Sequence, residues 1–348
     1  MSLVDIKSMY KNELESFLID KGYKRFRATQ VYSWLHTKYA TSFEEMTNLP
    51  QNMMTELDTI CYISVANIEK KLVSRYDNTI KYLFELSDGE FVEAVVMSYH
   101  HGYSMCISTQ VGCKMGCTFC ATGQAGFTRN LTASEMLSQI MTAQKDLGIR
   151  ISNVVLMGMG EPLDNFDNVL RFLRLATDSD GLSIGARHIT LSTCGVVPRI
   201  YDLADSGIPV TLSLSLHAPT DEIRLRTMPI NKKYPLDEVF KACRYYSDTT
   251  GRRVTYEYAM ISGVNDSDEC ARLLAKRIKG TLCHVNLIPV NPVSGTGYNP
   301  SKDKRLMAFS GVLSQFNVNA TVRRTLGGDI DASCGQLRGK KLKDKGGV

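Results

Sequence analysis

The sequence predicts an α/β protein: a parallel sheet of repeated βα units, open or curled toward a barrel, preceded by a small helical domain and a β-hairpin linker. Three observations predict it. The first sixty residues place apolar side chains at helical spacing. Residues 61–98 change to strand period. After about residue 100, apolar strand candidates alternate with helical stretches.

In the N-terminal part, Leu14, Phe17 and Leu18 recur at helical spacing, as do Val31, Leu35 and Tyr39. Residues 21–39 carry five Lys/Arg, no Asp or Glu, and the aromatics Tyr23, Phe26, Tyr32, Trp34 and Tyr39. Cations for phosphates interleaved with rings for bases suit a nucleic acid. The plainer reading, a solvated helix face over a few core aromatics, weighs more from this segment alone. Residues 82–86 and 91–97 then flank Asp88-Gly89, which predicts a hairpin. The parallel strands are expected at 105–108, 154–157, 189–192, 210–216, 254–261 and 285–290, with a final strand at 320–323. Helical stretches fall between them, for example 134–147 and 168–176, and Thr132-x-x-Glu135 opens the first as a capping box. The expected organisation is a helical domain over 1–60, a hairpin linker over 61–98, a core over 99–335 and a basic tail over 336–348.

With 348 residues and 43% apolar side chains, the chain can bury one large domain, or a barrel-sized domain and a small one. The net charge of +5 is only weak support for an anionic partner. No apolar run approaches the ~18 residues of a membrane span, and residues 1–11 lack the apolar stretch of a signal peptide. A cytoplasmic location with no membrane is expected. Ten cysteines are too few for a disulfide scaffold of this length. In a reducing compartment they are core fillers, metal ligands or catalysts.

The polar signatures fall just past the expected strand ends. The cysteine loop follows the first strand and Gly158-Met-Gly-Glu-Pro162 the second. Ser192-Thr193 ends the third, His217 the fourth and Asn291-Pro292 the sixth. In α/β barrels that edge is where chemistry is done. The loop, Cys113-Lys-Met-Gly-Cys117-Thr-Phe-Cys120, places three thiols within eight residues. Thiolates select zinc, copper(I) or iron–sulfur clusters. A structural zinc wants four closed ligands, for which Cys106, His100 or His101 could serve as the fourth. A four-iron cluster on three cysteines leaves one iron open.

Cys-x3-Cys-x2-Cys with an aromatic before the last Cys resembles the signature of radical S-adenosylmethionine (radical SAM) enzymes. Gly158-Met159-Gly160-Glu161-Pro162 resembles their second element, which holds the methionine amino group. Further stretches resemble one subfamily, the RlmN/Cfr group of RNA adenine methyltransferases. They are Ser108-Thr-Gln-Val-Gly-Cys113, Arg129-Asn130-Leu131, Ser192-Thr-Cys-Gly-Val-Val-Pro198, Ser215-Leu-His-Ala-Pro219, Met228-Pro-Ile-Asn231, Gly263-Val-Asn-Asp266 and Asp329-Ile-Asp-Ala-Ser-Cys-Gly-Gln-Leu337. The resemblance runs from about Asp5 to Leu337. Phe26-Arg27-Ala28-x-Gln30-Val31 and Glu45-Met-Thr-Asn-Leu49 are more similar to RlmN than to Cfr.

The resemblance implies a partial (β/α)6 radical SAM barrel with a [4Fe–4S] cluster on Cys113, Cys117 and Cys120 and S-adenosyl-L-methionine on its open iron. It implies cofactor contacts from Gly160, Glu161, Ser192, Ser215, Leu216, His217 and Asn291. It makes Cys334 the cysteine that is methylated and then joined to RNA, Cys106 its transient disulfide partner and Glu93 a proton acceptor, the split of proton removal between Glu93 and Cys106 staying open. Carbon 2 of an adenosine in the peptidyl transferase centre of 23S rRNA is the implied target, with an adenosine beside a tRNA anticodon loop as a second. An electron donor such as flavodoxin and a monomeric chain are also implied. The alternatives are Cfr-type methylation of carbon 8, associated with antibiotic resistance, and a non-catalytic zinc-bearing RNA-binding protein. Cys61, Cys243, Cys270 and Cys283 are expected as packing residues, and Cys194 beside Ser192 could line the pocket.

Overall fold

The computed structural model describes residues 3–100, 102–291, 296–324 and 326–330. A short strand β1 (Val4–Asp5) leads into helices α1 (Lys11–Asp20), α2 (Phe26–His36) and α3 (Gln51–Ile60). Strand β2 (Cys61–Tyr62) returns to pair in parallel with β1. An antiparallel meander follows: β3 (Asn67–Val73), β4 (Ile80–Glu85), β5 (Phe91–Tyr99) and β6 (Gly102–Cys106). The β4–β5 turn forms around Gly89, whose φ of +78° suits a residue without Cβ.

The chain then makes a small ladder of β7 (Gln110–Gly112) and β8 (Phe127–Asn130), with α4 (Ala121–Gln124) between them. From there strand and helix alternate: α5 (Ala133–Leu147), β9 (Ile151–Leu156), α6 (Phe166–Thr177), β10 (Ile189–Thr193), α7 (Val197–Asp205), β11 (Thr211–Ser215), α8 (Asp221–Thr227), α9 (Leu236–Thr250), β12 (Val254–Met260), α10 (Asp268–Ile278), β13 (Cys283–Pro289), α11 (Asp303–Gln315) and β14 (Ala320–Val322). The Thr132/Glu135 capping box opens α5, and Gly148 closes it in the left-handed conformation.

One sheet runs β3-β4-β5-β6-β9-β10-β11-β12-β13-β14. From β6 onward every pairing is parallel. Sequential order in a parallel sheet puts every right-handed crossover on one face. That face is apolar: Val154, Leu156, Leu191, Leu212, Leu214, Val254, Tyr256, Tyr258, Val285 and Leu287 all join the main core. Strand period two sends the alternate residues to the other face. Asn153, Thr190, Ser192, Ser213, Ser215, Glu257 and Asn286 therefore line the inside. A closed barrel fills its inside with bulky branched side chains. Here Asn153, Thr190, Glu257 and Asn286 line a cavity of about 320 Å³, and a larger one of about 530 Å³ lies beside it, the two sharing Met97, Tyr99, Met157 and Arg323. The sheet is curled, since Val95 on β5 and Ile288 on β13 line the same cavity. It is also open, with β3 and β14 as its two ends. Among the described residues, three hydrogen bonds bridge the gap between those ends. Gly327 N donates to Asp77 (2.8 Å), and Asp329 accepts from Ser74 Oγ (2.8 Å) and Arg75 N (3.0 Å).

The N-terminal helices pack into the same core as the barrel helices. Polar ties add to this: Tyr32 Oη to Asp178 (2.7 Å), Lys11 to Asp180 (2.6 Å) and Arg171 forked onto Glu13. These ties account for most of the aromatics in residues 21–39. Tyr23 donates to Glu56, Trp34 Nε1 to Asn48 (2.6 Å), and Tyr39 accepts from Gln144 (2.7 Å). Phe26 stays half exposed, with Arg27 stacked on its ring. Four of the five rings thus serve packing, and the exposed surface of the segment is mainly basic, with Phe26 as its one exposed ring. Among the described residues no helix is long and apolar enough to cross a membrane.

Candidate active site

The cysteine loop is the connection of the β7–β8 ladder. Gly112, at φ +81°, sits against the carbonyl of Gly126, where any Cβ would collide, and Cys113 N donates to that same carbonyl (2.8 Å). The loop is seated from beyond the ladder as well. Thr118 N donates to Thr227 O at the end of α8 (2.9 Å), and the Phe119 ring meets His217 edge-on at 5.0 Å. Burial pushes the Cys113 thiol up to about 12 and Cys117 higher still, and the neighbouring thiols add to both shifts. Without a metal these sulfurs are protonated; a bound metal centre would draw them to thiolates.

The loop does not form a closed coordination shell. Among the described residues no three His, Cys, Asp or Glu side chains already converge as a metal site. His100, one of the possible fourth zinc ligands, lies in the β5–β6 turn, at the other end of β6 from the loop, and His101 lies outside the described residues. Three soft donors on one loop suit an iron–sulfur cluster with an open iron better than a four-ligand structural zinc.

The Gly158-Met-Gly-Glu stretch is stitched to the strand that leads into the loop. Gly158 N donates to Ile107 O, and Met159 O accepts from Thr109 N and Gln110 N. A Cβ on Gly158 would lie 2.5 Å from Ile107 O. One on Gly160, at φ +105°, would lie 2.6 Å from Gln110 Cβ. Both positions need glycine for close approach. Glu161 is buried, and burial raises its carboxyl. Its oxygens accept from Leu163 N (3.0 Å) and Cys194 N (2.7 Å), so it braces the end of β9 against the end of β10.

Ser192 and Ser215, on neighbouring strands, face each other with Oγ atoms 3.4 Å apart. Leu216 packs in the core while its backbone joins Glu257 O and Arg224. His217 adopts φ +56°. Its Nδ1 accepts from Ala259 N (2.9 Å), which leaves the proton on Nε2, and burial with the nearby Arg224 charge pushes its pKa down to about 3. It is a neutral donor edge beside the loop.

Cys106, the last residue of β6, packs with Val95 and Met97 inside the sheet, and Leu326 lies against this patch. Asn291 lines the larger cavity together with Cys106. Glu93 shares the inward parity of Val95 and Met97 on β5. It is buried and paired with the equally buried Lys81 at 2.9 Å. Cys334 lies outside the described residues. Of the remaining cysteines, Cys61, Cys243 and Cys270 are buried and Cys283 is partly so, while Cys194 uses its backbone to hold Glu161 and Arg224.

Sequence reasoning missed Gln110, which holds Glu161 N and also bonds Asn130 and Asp164. It missed Gln139, whose amide clasps both backbone groups of Ser108. It also missed Lys81 and Arg224. Lys81 left a signal, a lone cation at inward parity in an apolar strand. Arg224, in the charged run Asp221–Thr227, left none.

Residues 107–274 match the radical SAM superfamily, and residues 4–63 match the ribosomal RNA large subunit methyltransferase N-terminal domain. The probable dual-specificity RNA methyltransferase RlmN of Alkaliphilus oremlandii is 53% identical over 99% of this chain and 100% of its own. The chain belongs to the RlmN family of radical SAM RNA methyltransferases. The RlmN relative of Thermoanaerobacter sp. (strain X514) is 48% identical over 99% of the chain and 100% of its own. A crystal structure of a radical SAM methyltransferase from Sphaerobacter thermophilus superposes with a TM-score of 0.91 at 41% identity, covering 96% of this chain and 98% of that one. The partial parallel barrel, the helical N-terminal unit and the methyltransferase class are those of RlmN-family enzymes.

Proposed function

We propose that this chain methylates carbon 2 of an adenosine in the peptidyl transferase centre of 23S rRNA, and of an adenosine beside the anticodon loop of tRNA. Cys113, Cys117 and Cys120 hold a [4Fe–4S] cluster. Gly160, Glu161, Ser192, Ser215, Leu216, His217 and Asn291 form the S-adenosylmethionine site, with an electron donor such as flavodoxin. Bound S-adenosylmethionine supplies the methyl group and the hydrogen-abstracting radical needed at an electron-poor ring carbon. Gly160 gives the close backbone approach, His217 offers Nε2–H, and the Ser192/Ser215 pair offers hydroxyls. Cys334 carries the methyl group and becomes joined through it to the ring. Glu93 accepts the ring proton. Cys106 forms a transient disulfide with Cys334 that releases product.

The observation that carries this reading is the seat of Cys106. Cys106 lies inside the sheet under Leu326, and Leu326 is eight residues before Cys334, in a chain about half identical over its full length to RlmN relatives. Mass spectrometry of 23S rRNA from a host lacking its own enzyme tests it. We expect 2-methyladenosine; 8-methyladenosine alone would overturn the assignment in favour of Cfr-type chemistry. Anaerobic protein is expected to be brown with about four irons per chain. Colourless protein folded around one zinc ion would refute the cluster.

A further inference from the structure

Arg224 is fully buried, yet every acceptor it uses is neutral. Its Nε donates to Leu216 O (3.2 Å), one terminal nitrogen to Asn231 Oδ1 (3.1 Å), and the other to Cys194 O (2.5 Å) and Ser215 O (3.3 Å). Among the described residues it makes no ion pair. Asp221 stands one side chain away, accepting from Asn231 Nδ2 at 2.9 Å. Taking a guanidinium out of water without a countercharge is costly, and neutral carbonyls offset only part of that cost.

The placement says where the countercharge belongs. Thr227, one turn after Arg224 on α8, accepts from Thr118 N of the cysteine loop. That acceptor is the Thr227 backbone carbonyl, and the carbonyl that Arg224 Nε holds is that of Leu216, next to His217, whose ring meets Phe119 of the loop at 5.0 Å. Pro229, just beyond α8, lies under Gly116 of that loop.

We propose that Arg224 is the electrostatic partner of the metal centre on Cys113, Cys117 and Cys120, and that its fixed charge makes that centre easier to reduce. The inference rests on the cluster reading above. Three thiolates around a four-iron core leave a net negative centre, and uptake of one electron from an external reductant makes it more negative. A nearby cation stabilises the reduced form more than the oxidised one.

The test is a redox titration of anaerobically reconstituted wild type, Arg224→Gln, Arg224→Lys and Asp221→Asn, poised with dyes and dithionite. It is read by visible absorbance and electron paramagnetic resonance beside iron content. At the potential where wild type is half reduced, Arg224→Gln should have a reduced-to-oxidised ratio lower by about tenfold. Arg224→Lys, which keeps the charge, should stay near wild type. Asp221→Asn removes a negative charge while its retained oxygen still accepts from Asn231 and Leu236 N, and should move the ratio upward. A purely structural Arg224 would change iron content or melting and leave the potential alone. An unshifted titration in Arg224→Gln that holds wild-type iron overturns the inference; if that variant fails to fold, an unshifted Asp221→Asn does so. Wild type that takes up no iron overturns the cluster reading and this inference together.

Discussion

Replacing Lys81 with methionine tests the inward-facing pair most directly. Lys81 Nζ lies 2.9 Å from Glu93 Oε2, with the two side chains 0% and 2% exposed. Methionine keeps most of the volume and removes the charge, so it leaves the Glu93 carboxylate without its ammonium partner in a dry strand interior. Breaking such a pair from one side costs about 3–5 kcal/mol, because the surviving charge stays buried without the opposite charge that faced it. Replacing both sides with apolar residues costs far less, since no charge is stranded. The expected order is therefore wild type close to Lys81→Met/Glu93→Leu, and both well above Lys81→Met alone. Equilibrium urea unfolding at neutral pH, on metal-free protein, measures it through the shift in midpoint at constant slope. A single variant within about 1 kcal/mol of wild type, or a double variant as unstable as the single one, would refute the argument that this pair is buried and interdependent.

Three other outcomes follow from the same structure. Gly160→Ala forces a side chain into φ +105° and against Gln110, and is expected to cost about 1–3 kcal/mol and weaken S-adenosylmethionine binding; calorimetric titration and urea unfolding check both. His36 is buried, neither ring nitrogen is hydrogen-bonded among the described residues, and burial, with Lys7 nearby, pushes its pKa from 6.5 down to about 3. The unfolded chain thus binds a proton first as pH falls: this stability is present above pH 6.5 and is lost toward pH 3, about 2 kcal/mol of it by pH 5. In His36→Phe the loss of stability between pH 7 and pH 5 should shrink by that amount, and an unchanged pH dependence would contradict the burial argument. Cys106→Ala is expected to accumulate a protein–RNA adduct on denaturing gels, and Cys334→Ala to block methyl transfer to protein; normal turnover in either removes that cysteine from the reaction.

The parallel core was legible because its physics is local. A strand between helices and lumen must alternate apolar and small polar residues, and β10 to β13 do so in plain sequence. The cysteine spacing and the glycines at 158 and 160 were legible because metal ligation and close backbone approach each demand one residue type. The β7–β8 ladder was not, since strands of three and four residues are too short to show a period. The aromatics of residues 21–39 read as a possible base-stacking surface because their anchors lie far along the chain. Tyr32 meets Asp178 and Tyr39 meets Gln144, pairings that no local pattern carries. Glu93 showed in the sequence as a lone acid, but its burial against Lys81 depends on strand register, which is set by the whole meander.

The two ends of the sheet are joined differently from its strands. Every neighbouring pair within the sheet is held by a ladder, and separating any pair would strip a row of backbone groups. Among the described residues, parting the segment after β14 from the Ser74–Asp77 turn breaks the three hydrogen bonds of Gly327 and Asp329 and no ladder, a cost of roughly 2–4 kcal/mol. Among the described residues the barrel wall is therefore weakest along one line, and Asp329 stands on it. Breathing of that line would expose the patch around Cys106 while every βα unit stayed intact.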